Sequence, residues 1–314
     1  MKKLICILSA LLMCLISAVS GCADTSDGSF TILENKPWAN EGINYEKCTY
    51  DYEKLDKDGK VAATGIYTVT ISSSLGVTTI ESRLDVSNEY GSSDSVYSSV
   101  ACDSATLIPQ TVSKRVINYV MKEGKLTDNG YVLNMNYKEK TASFSFNDQS
   151  AEKKDDITLP DSGADTFDSE QYYQIVRSAR NLGTEKNSGT FNLFSGVDSF
   201  IAGKPVSFPI KYIVGSETVL TCKKLGQTVG GSYGVNPTGS ILCRKVTAQV
   251  NADQSGSATT IMFASDAFGN ASSEPGTRAS GKNVIVCISR PQYSISSFGV
   301  EYTHTYTLSD YTAY

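Results

Sequence analysis

The chain has 314 residues and a formal charge of −5, with no basic cluster, a balance that excludes the electrostatic footprint of a nucleic-acid binder. Tyrosine is abundant at 18, among many Thr, Ser and Val, which favours strands over helices. Histidine occurs once, which excludes a histidine-rich metal site.

The first residues speak to compartment. Lys2 and Lys3 precede an apolar run from Leu4 to Val19, shorter than the ~20 residues a spanning helix needs but suited to a signal peptide. The run ends in Val19-Ser20-Gly21-Cys22, a pattern that resembles the lipobox of bacterial lipoproteins. That resemblance implies a signal peptide over residues 1–21, cleavage before Cys22, and acyl chains on its thiol. The other readings are an ordinary secretory signal with an incidental cysteine and a retained membrane anchor. Residues 22–42 are small and polar and read as a tether. Residues 43–314 then form a single mainly β domain on the extracytoplasmic face of the cell membrane.

Period-two alternation runs through the body. Cys48, Tyr50 and Tyr52 share one face, Asp56 to Lys60 turns, and Tyr67, Val69 and Ile71 line the returning strand. Ile80, Leu84 and Val86 continue the pattern. Tyr131, Leu133, Met135 and Tyr137 alternate before a turn, after which Ala142, Phe144 and Phe146 return. Residues 149–166 are charged, carry Pro160 and Gly163, and read as a loop. A helix is predicted over about 169–182, capped by Asp168 with Gln171 completing a capping box. Its stripe of Tyr172, Ile175, Val176, Ala179 and Leu182 should pack on a sheet, with Gly183 ending it. Strands resume at Val206–Val214, where Pro205 and Pro209 suggest an edge or bulge. Gln227–Gly239 reads as a glycine-rich loop, and strands follow through Leu242–Val250, Ile261–Phe263, Val284–Ile288 and Val300–Leu308. The expected fold is a curved antiparallel sheet or half-open β-barrel with one packed α-helix.

Five cysteines lie in the body, Cys48, Cys102, Cys222, Cys243 and Cys287, an odd number with no C-x-x-C spacing. Buried free thiols are the favoured reading, and the spacing fixes no pairing.

The order of elements resembles the domain-of-unknown-function family 3108. The resembling features are Gly65 before Ile66-Tyr67-Thr68-Val69, the helix start from Asp168 to Arg177, Glu217 after Pro209, and Phe263-Ala264-Ser265-Asp266. The resemblance implies exported, curved β architecture and carries no catalytic residue.

Chemistry finds little foothold. Any triad must be built on His304, which falls mid-strand on the apolar face and reads as a core histidine bonded to a neighbouring hydroxyl. Gly-x-Ser-x-Gly and P-loop patterns are absent. Asp56, Asp58, Asp155, Asp156 and Asp266 read as turn formers, whereas Glu217 and Arg244 lie in strands and are able to pair in a cleft. Tyr302, His304 and Tyr306 are candidate cleft residues, since tyrosine joins an apolar ring to a polar tip; the competing reading is that they fill a β core. No catalytic residue, cofactor or metal is assigned. The expected function is a non-enzymatic binding or scaffold module, held to the membrane by acyl chains on Cys22, for a lipidic or cell-envelope ligand. The alternatives are a carboxylate-based hydrolase of envelope glycans and a purely structural surface protein.

Overall fold

A computed structural model describes residues 45–88, 90–148, 154–155, 157–160, 166–179, 182–250, 258–268, 283–293 and 300–314. The expected signal peptide, Cys22, the expected tether, Asp156 and much of the expected 149–166 loop lie outside these residues.

The first half is a meander: β1 (Tyr45–Asp56), β2 (Val61–Ser74), β3 (Val77–Ser87), β4 (Ser93–Asp103) and β5 (Pro109–Ile117). A small ribbon of β6 (Tyr119–Lys122) and β7 (Lys125–Asp128) intervenes before β8 (Tyr131–Asn136), β9 (Thr141–Phe146) and β10 (Lys154–Asp155). Then come β11 (Thr166–Asp168), a 3₁₀ turn (Ser169–Gln171), α1 (Tyr172–Arg177), β12 (Ser188–Phe194) and α2 (Gly196–Ala202). The chain finishes with β13 (Ser207–Thr221), α3 (Lys223–Val229), β14 (Ser240–Val250), β15 (Thr259–Ala264), β16 (Ile285–Tyr293) and β17 (Val300–Ala313).

Apart from the β6–β7 ribbon, all strands join one sheet in the order β10-β9-β8-β5-β4-β3-β2-β1-β17-β16-β15-β14-β13-β12-β11. The sheet is strongly curved and not closed. Every pair is antiparallel except β11–β12, which is parallel. The β1–β17 ladder joins the two halves, and Tyr45 stacks on Tyr314 with ring centroids 4.7 Å apart.

Alternation sets the inner face. Glu46, Cys48, Tyr50 and Tyr52 of β1 all point inward and are buried. Opposite them, β17 carries one extra residue, Ser309, where the register shifts between Thr49 and Tyr50. This bulge flips the phase of the strand, so that Tyr306, Leu308, Tyr311 and Ala313 all face the core. Ser309 Oγ holds the bulge by donating to the Thr49 carbonyl at 3.1 Å.

Inside the curve sits α1, whose Ile175, Val176 and Arg177 are all buried in the main core with residues of β1 and β12–β17. The expected 169–182 helix is therefore shorter than its apolar stripe, and it fills the interior. Its capping box forms as expected: Asp168 accepts from the Glu170 N–H at 2.9 Å, and Gln171 Oε1 accepts from the Asp168 N–H at 3.2 Å. The early stop has a local cause. Ser178 Oγ donates back to the Gln174 carbonyl at 2.8 Å, and the Ala179 N–H bonds the Val176 carbonyl, tightening the last turn. Ala179 and Leu182 stay buried without helical backbone.

Two further helices correct the single-helix expectation. α2 starts at Ser195, whose Oγ accepts from the Asp198 N–H at 3.3 Å, and ends at Gly203 with φ of 66°. α3 takes residues 227–229 out of the expected loop and buries Leu225 and Val229.

The two ends of the sheet meet without pairing. Side chains seal the seam: Phe200 of α2 stacks on Phe144 of β9 at 5.2 Å, and both belong to a second core cluster with Leu133, Met135 and Phe194. Gly196 packs tightly there: a Cβ would lie 2.6 Å from Met135 Sδ, so a larger residue obliges the Met135 side chain to shift. Polar bonds finish the joint. Tyr137 Oη donates to Asp168 Oδ2 at 2.6 Å, Lys114 Nζ pairs with Glu170 at 2.7 Å, and Gln171 Nε2 donates to the Leu107 carbonyl at 3.0 Å.

All five body cysteines are free thiols; four are buried and Cys287 is half-buried. Burial pushes Cys102, Cys222 and Cys243 up to about 12 and Cys287 to about 11. Cys48 is raised well above its ordinary value by burial and then by Glu46. Since the thiolate is the reactive form, native protein at neutral pH should resist an alkylating reagent, with Cys287 labelled first and all five labelled in denaturant. Fast stoichiometric labelling of the native protein, read by peptide mass, would contradict this packing.

Candidate functional site

His304 lies on β17 with 2 % of its surface exposed. Its Nε2 is 2.8 Å from Gln292 Oε1, which is acceptor only, so this nitrogen carries the proton. Nδ1 then accepts from Tyr52 Oη at 2.7 Å. Burial, then the charges of Arg290 and Lys54, pull the imidazole down to about 3, so the ring is neutral with both nitrogens used. Tyr306 is buried beside it, 5.2 Å from the Tyr52 ring and 5.1 Å from Tyr67. Tyr302 is half-buried at the rim, with Lys54 Nζ 3.8 Å above its ring. Burial lowers the Lys54 ammonium, against the pull of Glu301. These residues form a filled aromatic stack.

Glu217 and Arg244 do pair, at 2.8 Å, as ladder partners on β13 and β14. They adjoin a bulge where Gly215 and Ser216 oppose a single residue, Lys245, and Arg244 Nη1 also reaches the Gly215 carbonyl. The structure does not bring this pair to His304. Arg244 aligns through Phe263 with Ile285, whereas His304 aligns with Arg290. Five residues of β16 separate the two levels, about 16 Å at ~3.3 Å per residue. Asp56 and Asp266 act as turn residues: Asp56 caps its turn by accepting from Asp58 and Lys60, and Asp266 accepts from the Leu242 N–H. Among the described residues, no group of three or more His, Cys, Asp or Glu is placed to hold a metal ion.

A concavity of about 380 Å³ opens elsewhere, across β4, β5, β8 and β9. Its side-chain lining is Ser99, Thr111, Ser113, Asn134, Asn136, Thr141 and Ser143. Register explains why these residues meet, since ladder partners share a face. One row runs Glu81, Ser99, Ser113, Asn134, Ser143 across five strands, and the next runs Thr79, Ala101, Thr111, Asn136, Thr141. The opposite face of the same strands supplies Val100, Val112, Leu133, Met135 and Phe144 to the second core cluster. The trough is thus the outer surface of a strip packed from behind. A flanking row carries Arg83, Tyr97 and Arg115. Tyr97 is 38 % exposed, and its Oη donates to Glu81 at 3.0 Å. Asn136 Oδ1 is taken by the N–H groups of Lys138 and Glu139, which leaves its amide nitrogen facing out. The sequence reading missed this site because Ser, Thr and Asn on the wet phase of a strand look like ordinary solvent-facing residues. The available signal was their coincidence in adjacent strands, visible only once register is known.

No family model matches the chain, and no curated protein matches it. A solved β-barrel-like protein of the domain of unknown function DUF1849 from Brucella abortus overlaps it with a TM-score of 0.47 at 8% identity, covering 86% of this chain and 98% of that one. A structure described as a candidate lipoprotein from Parabacteroides distasonis overlaps with a TM-score of 0.27 at 9% identity, covering 84% of this chain and 94% of that one. Overlaps of this quality carry no argument about activity.

Proposed function

We propose that the chain is an exported lipoprotein, held to the extracytoplasmic face of the cell membrane by acyl chains on Cys22, whose body is a non-enzymatic binding module for a cell-envelope ligand. The resemblance to family 3108 belongs to the same proposal. The membrane part is supported by Lys2 and Lys3, the short apolar run and Val19-Ser20-Gly21-Cys22. The binding part is supported by one observation. The sole histidine is neutral and doubly bonded inside a filled aromatic stack, while a concavity lined by polar, uncharged side chains opens on the outer face. A lipidic ligand finds less support, since α1 and the tyrosines of β1, β2 and β17 occupy the interior.

Intact-mass analysis of protein produced in a lipoprotein-processing bacterium tests the anchoring. The expected species begins at Cys22 and carries acyl chains, and Cys22→Ser should leave the leader uncleaved. A mature start elsewhere, or an unmodified Cys22, would remove the membrane attachment.

A further inference from the structure

We infer that the outer trough across β4, β5, β8 and β9 is a binding site for a neutral glycan. The inference rests on the binding-module reading above and names its ligand class. Three features of the trough point to this chemistry.

The first is the lining. Ser99, Thr111, Ser113, Asn134, Asn136, Thr141 and Ser143 offer hydroxyls and carboxamides, which donate and accept hydrogen bonds as sugar hydroxyls do. Among the described residues that line the trough none is charged, and the charged positions of its central row, Glu81 and Asp155, fall at the two ends, so an ionic ligand over the middle would lose hydration without a counter-charge. Apolar carbon is exposed among these polar groups, a mixture that matches the C–H and hydroxyl surface of a sugar, whereas a wholly apolar ligand would strip water from the hydroxyls and carboxamides without replacing those bonds.

The second is order. The side chains stand on a lattice set by the ladders, ~4.8 Å between strands and ~6.8 Å between alternate residues along a strand. Because the reverse face of the strip is core, this lattice is fixed before a ligand arrives, which lowers the entropy lost on binding. Among the described residues, Thr111, Ser113, Asn134, Thr141 and Ser143 form no side-chain hydrogen bond that would compete with a ligand.

The third is what flanks the lattice. Tyr97 lies two residues from Ser99 on the same face, with its hydroxyl tied to Glu81 and its ring open to solvent. A tethered, exposed ring suits the C–H face of a pyranose. An added peptide strand fits less well, because β4, β5 and β8 are paired on both sides and their backbone groups are committed.

Native affinity electrophoresis of the full, detergent-extracted chain through gels holding neutral polysaccharides (glucans, galactomannan, soluble chitin oligomers) or anionic polygalacturonate tests the inference. Wild type should be retarded by at least one neutral polymer, and high salt should leave that retardation in place because no ion pair is involved. Filling the trough with Ser113→Trp should abolish it. The paired change Asn134→Ala with Ser143→Ala should weaken it about tenfold. Thermal melting should show all variants folded, since the exchanged side chains lie outside the core. Retardation equal in wild type and Ser113→Trp, retardation by the anionic polymer alone, or none by any neutral polymer would overturn the glycan site. If Cys22 is acylated in that same material, such a result removes the ligand class and leaves the anchored-module reading standing.

Discussion

Replacing Arg177 by methionine should lower the stability of the body by about 3–5 kcal/mol, read from the urea midpoint, because it strands a buried carboxylate. Arg177 and Glu46 are each 1 % exposed by side chain, and the guanidinium holds both carboxylate oxygens, with Nη2 at 2.9 Å from Oε2. Tyr311 Oη adds a third bond to Oε2 at 3.1 Å, and Cys48 Sγ lies 3.8 Å from Oε1. Burial would by itself lower the Arg177 pKa, but Glu46 overrides it and holds the guanidinium above its ordinary value, so the cation persists at any working pH. Removing one partner leaves the other desolvated; removing both does not. The double variant Glu46→Gln with Arg177→Met should therefore be about 2–3 kcal/mol more stable than Arg177→Met alone, and the double-mutant cycle should show the two sites to be non-additive. A single-variant loss below about 1 kcal/mol would mean that the pair does not lock the interior. The geometry says what is locked. Arg177 closes α1, Glu46 opens β1 and Tyr311 lies near the end of β17, so one cluster sets how deep the interior helix sits between the first and last strands.

That cluster also shows what the sequence discloses. The strand faces are legible: Cys48, Tyr50 and Tyr52, Leu133 and Met135, and His304, Tyr306 and Leu308 all point inward as period-two alternation demands. Glu46 stands in the same phase as Cys48 and Tyr50, and an acidic residue on an apolar phase is a signal for a buried partner. Its partner was not legible, because Arg177, 131 positions away, reads as an ordinary basic residue closing a helix. Short helices escape for another reason. Ser195 and Gly203 carry the cap signals of α2, but seven residues hold too few turns for an apolar stripe to stand out. The Glu217–Arg244 pair was legible as a pair and misplaced as a cleft, since pairing follows from neighbouring strands while position depends on register. The trough is the extreme case: it depends on register across five strands, and each residue alone is unremarked.

The second large effect concerns pH, and it is a cancellation. Asp168 is buried at the seam; burial, then the charge of Glu170, push its carboxyl up to about 7, against the Tyr137 hydroxyl, the Glu170 N–H and Lys114. Its ordinary value is 3.8, so between about 4 and 7 the folded state binds a proton that the unfolded chain releases. Stability therefore falls as pH rises through that window, by up to ~1.4 kcal/mol per pH unit. His304 works in the opposite sense. Its folded value of about 3 lies below the ordinary 6.5, so in that interval the unfolded chain binds the proton and stability falls as pH drops. From about pH 4 to 6.5 the two slopes oppose each other, and their sum in the wild type should be close to flat. Asp168→Asn keeps an oxygen for the Glu170 N–H and removes one slope, so that variant should become acid-labile, losing up to about 3 kcal/mol between pH 6.5 and 4 relative to wild type. His304→Gln should show the mirror image, gaining stability on acidification by a similar amount. Urea midpoints for the three proteins across this range decide the matter. If wild type and Asp168→Asn give superimposable profiles, the carboxyl at the seam titrates as it would in water and the sealed joint between the sheet ends is open to solvent.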